Sequence, residues 1–166
     1  MSCAERGGAR RALWLVLFGL AGCIPWPHFE SDQHAASGVV VRGGAPVAGA
    51  VVQTCSYSSW HEAPTDPADC LVHDVLTTGP DGAFRIPERH HFEWVIFGEA
   101  ELPVTIVSAC SPDHSELAAA KLGYAAKPGA DWSLPLAPKA QAKPILVGEG
   151  RASPEGVVAY ALARCE

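Results

Sequence analysis

Gly38-Val39-Val40-Val41-Arg42-Gly43-Gly44-Ala45-Pro46-Val47-Ala48-Gly49-Ala50-Val51-Val52-Gln53-Thr54-Cys55 contains two valine-rich runs joined by glycine and proline. β-Branched side chains suit a pleated surface and lose rotamer freedom in a helix, whereas Gly43-Gly44-Ala45-Pro46 is turn chemistry. The stretch predicts strands over 38–42 and 49–55, paired as a hairpin-like unit.

The same punctuation continues outward. Residues 56–69 read as a long loop rich in Ser, Pro and Asp, with Trp60 and His61 near its middle, and 71–78 returns as a strand. Gly79-Pro80-Asp81-Gly82 supplies a tight turn, because proline presets one torsion and glycine accepts positive φ. In the strand that follows, Phe84 and Ile86 alternate inward while Ala83 and Arg85 face outward. Further strands are expected at 92–98, 103–110, 116–124 and 132–136, the last with Trp132, Leu134 and Leu136 on one face. Segment 116–124 is alanine-rich enough for a helix, but strand is preferred because its neighbours are strands and Gly123 lies inside it. Short runs separated by turn signals indicate an all-β sandwich.

Beyond Ala137 a connector runs to Pro144, followed by the apolar Ile145-Leu146-Val147. Ser153-Pro154-Glu155 has the form of a helix start, with serine as cap, proline in the first position and a carboxylate at the positive helix end. Val157, Val158, Ala161, Leu162 and Cys165 would then share a stripe. Gly156-Val157-Val158 is poor helix material, so a final strand stays open as the alternative.

Ser37-Gly-Val-Val-Val-Arg-Gly-Gly-Ala-Pro-Val-Ala-Gly-Ala-Val-Val52 and Thr77-Thr-Gly-Pro-Asp-Gly-Ala-Phe-Arg-Ile-Pro87 together resemble a carboxypeptidase regulatory-like domain. The features shared are Gly38 opening the first strand, Gly-x-Pro-Val-x-Gly-Ala across 44–50, and Thr-x-x-Asp-Gly-x-Phe from Thr78 to Phe84. The resemblance spans about 36–137 and is carried mainly by the part through Pro87. It implies a transthyretin-like, seven-stranded β-sandwich with Val39, Val41, Ala50 and Val52 in its core, and a non-catalytic accessory or binding role. The long 56–69 loop, the cysteines and the C-terminal extension depart from that pattern. 5-Hydroxyisourate hydrolases share the transthyretin fold, but they carry a histidine-rich opening strand and a terminal Tyr-Arg-Gly-Ser. This chain ends Ala163-Arg164-Cys165-Glu166 and has no histidine between Ala35 and Trp60.

At the N-terminus Arg6, Arg10 and Arg11 precede an apolar run that ends in Leu20-Ala21-Gly22-Cys23. The apolar run from Ala12 to Ile24, which Pro25 ends, is 13 residues, short of the roughly 20 that a spanning helix needs. Residues 1–22 therefore read as a signal peptide. The cleavage region resembles a bacterial lipobox, which implies that Cys23 becomes the diacylated first residue of a palmitate-bearing lipoprotein. In a Gram-negative cell envelope, Ile24 after that cysteine resembles the sorting pattern for an outer-membrane lipid anchor facing the periplasm. Residues 23–37, with two prolines and no sustained periodicity, read as a tether to the 36–137 sandwich, and 138–166 as a C-terminal extension. Trp26 and Phe29 are expected either at the lipid headgroups or docked on the domain.

Without its first 22 residues the chain carries 9 Lys and Arg against 17 Asp and Glu. That balance argues against nucleic acid, whose binding depends on clustered basic side chains displacing counterions. Cys55, Cys70, Cys110 and Cys165 remain once Cys3 has left with the signal and Cys23 has been acylated. In an exported chain these four read as two disulfides, for which the preferred pairing is Cys55 with Cys70 and Cys110 with Cys165. No two of them have the close spacing of a zinc ribbon.

No motif for a serine hydrolase, a phosphate-binding glycine loop or a zinc peptidase is present, so no enzyme and no cofactor is expected. His90-His91-Phe92-Glu93 is the strongest cluster: on a strand His91 and Glu93 would share a face, and imidazole with carboxylate suits zinc or copper. His90, His91 and Glu93 are metal candidates only, with solvated histidines as the plainer reading. Asp66, Asp69 and Asp74 lack EF-hand spacing and read as a solvated loop. The function expected is a membrane-anchored envelope lipoprotein acting as a non-catalytic binding or structural module, with an envelope protein or glycan as its partner. The alternatives are a periplasmic metal-binding protein and a carbohydrate-binding module. Trp60 and Trp94 are candidate contact points for an envelope protein or glycan.

Overall fold

The computed structural model describes residues 26–95, 102–123, 131–150 and 152–166, with the backbone alone at 26–28, 93–95 and 131. The signal peptide and Cys23 lie outside the described residues, as do the side chains of Glu93 and Trp94. The described strands are β1 (Trp26–Gln33), β2 (Ala36–Arg42), β3 (Ala45–Pro46), β4 (Val51–Ser58), β5 (Val72–Thr77), β6 (Ala83–Ile86), β7 (Arg89–Val95), β8 (Pro103–Cys110), β9 (Glu116–Leu122), β10 (Asp131–Pro135), β11 (Ala137–Pro138) and β12 (Ile145–Val147), followed by one helix, α1 (Pro154–Arg164). The described part is predominantly β.

The strand most deeply placed is β8, buried at all eight positions. Its run Pro-Val-Thr-Ile-Val-Ser-Ala-Cys has no charged residue because both of its faces are covered, as in any strand with packing above and below. It pairs antiparallel with β4 on one side and β9 on the other; β5 extends the sheet beyond β4, and β11 and β12 both pair with β9. A second sheet is built on β2, with β10 parallel to it on one edge and β6 and β3 antiparallel on the other.

Ala36, Val40, Phe84, Ile86, Leu134 and Leu136 from the second sheet meet Ala50, Val52, Val107, Ala109, Ala118, Ala120 and Leu122 from the first in one apolar layer. The opposite face of the first sheet presents Cys55, Tyr57, Val104, Ile106, Leu117 and Ala119 to Val157, Tyr160, Ala161 and Cys165 of the C-terminal segment. Each fully buried valine, leucine or isoleucine among them contributes about 1.5–3 kcal/mol, and the alanines less.

The C-terminus resolves as a helix. Ser153 Oγ accepts a hydrogen bond from Gly156 N at 3.0 Å, Pro154 holds the first position and Glu155 lies in the first turn. Val157, Ala161 and Cys165 are buried, Val158 and Leu162 only partly, and Tyr160, outside the expected stripe, is fully buried.

Three expectations are corrected. The first concerns pairing: 38–42 and 49–55 do not form a hairpin, because β2 and β4 belong to different sheets. Gly43 and Gly44, with φ of 58° and 86°, fold β2 tightly onto the two-residue β3, and the chain then crosses to the first sheet. The second concerns facing: Ala36, Gly38 and Val40 point into the core, while Val39 and Val41 are only partly buried. A one-residue shift inverts every side chain of a strand. Gly38 fixes the choice, since the Phe84 ring and the Trp132 carbonyl close over it.

The third concerns the tether. Residues 26–33 are the strand β1, paired with β7 in a separate two-stranded sheet. Pro27 is compatible with a strand that has only one neighbour. The described residues fall into two compact units, 26–30 with 92–95 and the remainder.

Candidate binding site on the disulfide-framed loop

The loop between β4 and β5 is held at both ends and in its middle. Ser59 N donates to Leu102 O at 2.9 Å, and His61 N donates to Ser58 O at 3.1 Å, which turns the chain at Trp60. Asp66 caps a single 3-10 turn over Pro67–Asp69 by accepting from Ala68 N at 2.9 Å. Cys70 is bonded to Cys55, with Cα atoms 5.3 Å apart, and Leu71 N donates to Ser56 O at 2.8 Å where the chain rejoins the sheet. From α1, Arg164 donates to Thr65 O at 2.7 Å. The second disulfide, Cys110–Cys165, fixes the end of that helix to β8.

A cleft of about 490 Å³ opens against this loop, lined by Tyr57, His61, Glu62, Pro64, Asp69 and Leu71. Burial pushes the Tyr57 hydroxyl up to about 12, so it remains protonated at physiological pH. The lining thus combines a phenol, an imidazole and two carboxylates with the apolar Pro64 and Leu71, a mixture that suits a polar ligand with donors of its own. Trp60, next to His61 in the chain, is 50 % exposed and Leu71 is 59 % exposed. Large apolar side chains held in solvent by a stapled loop are the usual makings of a contact surface.

The remaining candidates are placed elsewhere. His91 Nδ1 lies 2.7 Å from Asp32 Oδ1, and His90 Nε2 lies 3.3 Å from Glu88 Oε1. His90 and His91 therefore each face a different carboxylate. Among the described residues no three His, Cys, Asp or Glu side chains converge as a metal set. Asp74 accepts from Gln33 at 3.0 Å and from Arg89 at 3.2 Å, while Asp66 serves as a cap, so two of the three aspartates considered for calcium are engaged in separate contacts.

Gln33 and His34 escaped the reading of the sequence. Gln33 is fully buried; its Oε1 accepts from Thr54 and Ser56 at 3.2 Å each, and its Nε2 donates to Asp74 and to Pro87 O at 3.0 Å each. Ser56 Oγ in turn lies 2.7 Å from Thr105 Oγ1. The strand read over 49–55 runs on to Ser58, and that extension puts the Thr54 and Ser56 hydroxyls on one face, where they need a buried partner. His34 has a lowered pKa, chiefly through burial, with Glu88 opposing and His90 adding to the fall.

No known family and no curated protein matches the chain. Among solved structures a similarity is found to "Crystal Structure of S.CueP", with a TM-score of 0.36 and 7 % identity, covering 79 % of this chain and 92 % of that one. A likeness of this extent carries no argument.

Proposed function

We propose that the protein is a lipoprotein of the cell envelope, anchored through acylated Cys23, whose transthyretin-like β-sandwich is a non-catalytic binding or structural module. Cysteine pairing is the observation that carries this reading. Of six cysteines, four are joined as Cys55–Cys70 and Cys110–Cys165. Two disulfides suit an oxidising compartment, and they leave Cys23 as the one cysteine of the processed chain without a partner cysteine. A lone thiol directly after an apolar run and a small residue is what lipid attachment requires.

Ile24 favours an outer-membrane destination, and the module's contact surface is the stapled loop with Trp60 beside its cleft. The partner is an envelope protein; a glycan is the competing ligand, and the aromatic and carboxylate lining suits either. The Gly-x-Pro-Val-x-Gly-Ala and Asp-Gly-x-Phe segments support the carboxypeptidase regulatory-like resemblance.

The test is acyl labelling with intact-mass analysis. The full chain is expected to lose residues 1–22 and gain acyl groups on Cys23, and Cys23→Ala to accumulate unlabelled precursor. An unacylated chain with free thiols in the cytosol would sink the proposal. Photo-crosslinking from residue 60 in intact cells then identifies the partner class.

A further inference from the structure

We infer that the aromatic end of the β1–β7 ribbon, Phe29 with Phe92, is seated in the phospholipid surface that holds the anchor. The two rings pack edge to face with centroids 5.4 Å apart and planes at 65°. Phe29 nevertheless remains 72 % exposed and Phe92 48 % exposed. The strands that carry them also supply Trp26 and Trp94 in sequence. An exposed aromatic pair on a strand ribbon is an interaction surface in search of an apolar phase.

Chain length decides which phase that is, and the argument rests on Cys23 being acylated. Only Ile24 and Pro25 separate Cys23 from the start of β1. Three residue steps span at most about 11 Å, and Phe29 lies three strand residues further, about 10 Å. Phe29 is therefore within about 20 Å of the acylated residue by any path, comparable with the thickness of one leaflet including its headgroups. Lipid is thus the first apolar medium these rings can reach and is permanently at high local concentration, whereas a protein partner must diffuse in. With 9 basic against 17 acidic side chains after residue 22, the processed chain gains nothing from an anionic surface. The contact is apolar and suits a zwitterionic leaflet, where aromatic rings settle at the headgroup boundary.

The test places a benzophenone side chain at Phe29, at Phe92 or, as a control, at the exposed Val75 of the full chain in intact cells. Mass analysis reads both the adduct formed on irradiation and the state of Cys23. Lipid adducts at 29 and 92 are expected at about tenfold or more the yield at 75. Adducts to protein, or none at all, overturn the inference, and acylated Cys23 in the same sample leaves the anchor proposal standing. Lipid adducts on an unacylated chain uphold the contact and overturn the anchor proposal; neither acylation nor lipid adducts overturns both.

Discussion

A Cβ built on Gly38 would lie 2.9 Å from Cζ of Phe84 and 2.6 Å from the carbonyl oxygen of Trp132. The phenyl ring, stacked edge-on against Trp132 with centroids 5.6 Å apart, occupies the space any other residue at 38 would need. Gly38→Ala is expected to destabilise the fold by about 1–3 kcal/mol, the usual range for overpacking a core. Adding Phe84→Leu restores only part of the loss, because the backbone oxygen of Trp132 stays in place. Urea unfolding with the disulfides intact measures both, and an unchanged midpoint for Gly38→Ala would refute the packing argument.

The two disulfides differ in what they close. Cys110–Cys165 spans 55 residues and holds α1 to β8, whereas Cys55–Cys70 spans 15 and frames the loop. Constraint of the unfolded chain gives about 4 kcal/mol for the longer closure and about 3 kcal/mol for the shorter. Cys110→Ser/Cys165→Ser is expected to be the more destabilised pair. Cys55→Ser/Cys70→Ser keeps the fold but exposes 59–69 to protease. Equal protection of the loop in both pairs would show that the hydrogen bonds at Ser59, Leu71 and Arg164 suffice without the staple.

Turn chemistry and β-branched runs made strand positions legible from 38 to 136, and Ser153-Pro154-Glu155 marked the helix start to the residue. Local pattern did not settle which sheet each strand joins. Val39-Val40-Val41 is apolar at three consecutive positions and has no alternation to read, so its facing was decided by Gly38 fitting under Phe84, a contact between residues 46 positions apart. β1 was missed because Pro25 and Pro27 signal a linker, and its strand character comes from β7, some sixty residues away. At the candidate site Trp60 was visible as an aromatic in a polar loop. The cleft is lined in part by Tyr57, which the sequence places in the 56–69 loop but which the structure puts on β4, running on to Ser58.

Acid sensitivity should begin at His34. Burial lowers its pKa below the ordinary 6.5, so the folded protein holds it neutral. As pH falls through 6.5 the unfolded chain takes up a proton before the folded one does, and stability declines from there until the folded form is protonated as well. His34→Gln is expected to flatten that part of the profile between pH 7.5 and 5.5, as read by urea midpoints. An undiminished slope in the variant would assign it to other groups.

Gln33 offers two donors and two acceptor sites, and all four are used, by Asp74, Pro87, Thr54 and Ser56. Gln33→Ala strands buried hydroxyls and is expected to cost about 1–3 kcal/mol. Gln33→Glu is more informative because it sets a buried carboxylate beside Asp74. Like charge and burial raise the new group's pKa, so this variant is expected to gain stability as pH falls, when the protonated acid can donate again. A variant whose stability does not depend on pH in that way would mean that water replaces the network.

Trp60 separates binding from folding. It is half exposed on a loop held by other groups: the disulfide, the Asp66 cap and the Arg164 contact. Trp60→Ala should therefore leave the unfolding midpoint within about 0.5 kcal/mol of the parent, as for surface positions generally. A half-exposed tryptophan at the centre of a contact surface, by contrast, carries about 2 kcal/mol or more of binding, a loss of some thirtyfold. Pull-down of crosslinked partners from cells making Trp60→Ala, compared with the parent and with the control Val75→Ala, reads this directly. Loss of capture with unchanged stability places the partner on the stapled loop. Full capture by the variant moves the contact surface elsewhere on the module.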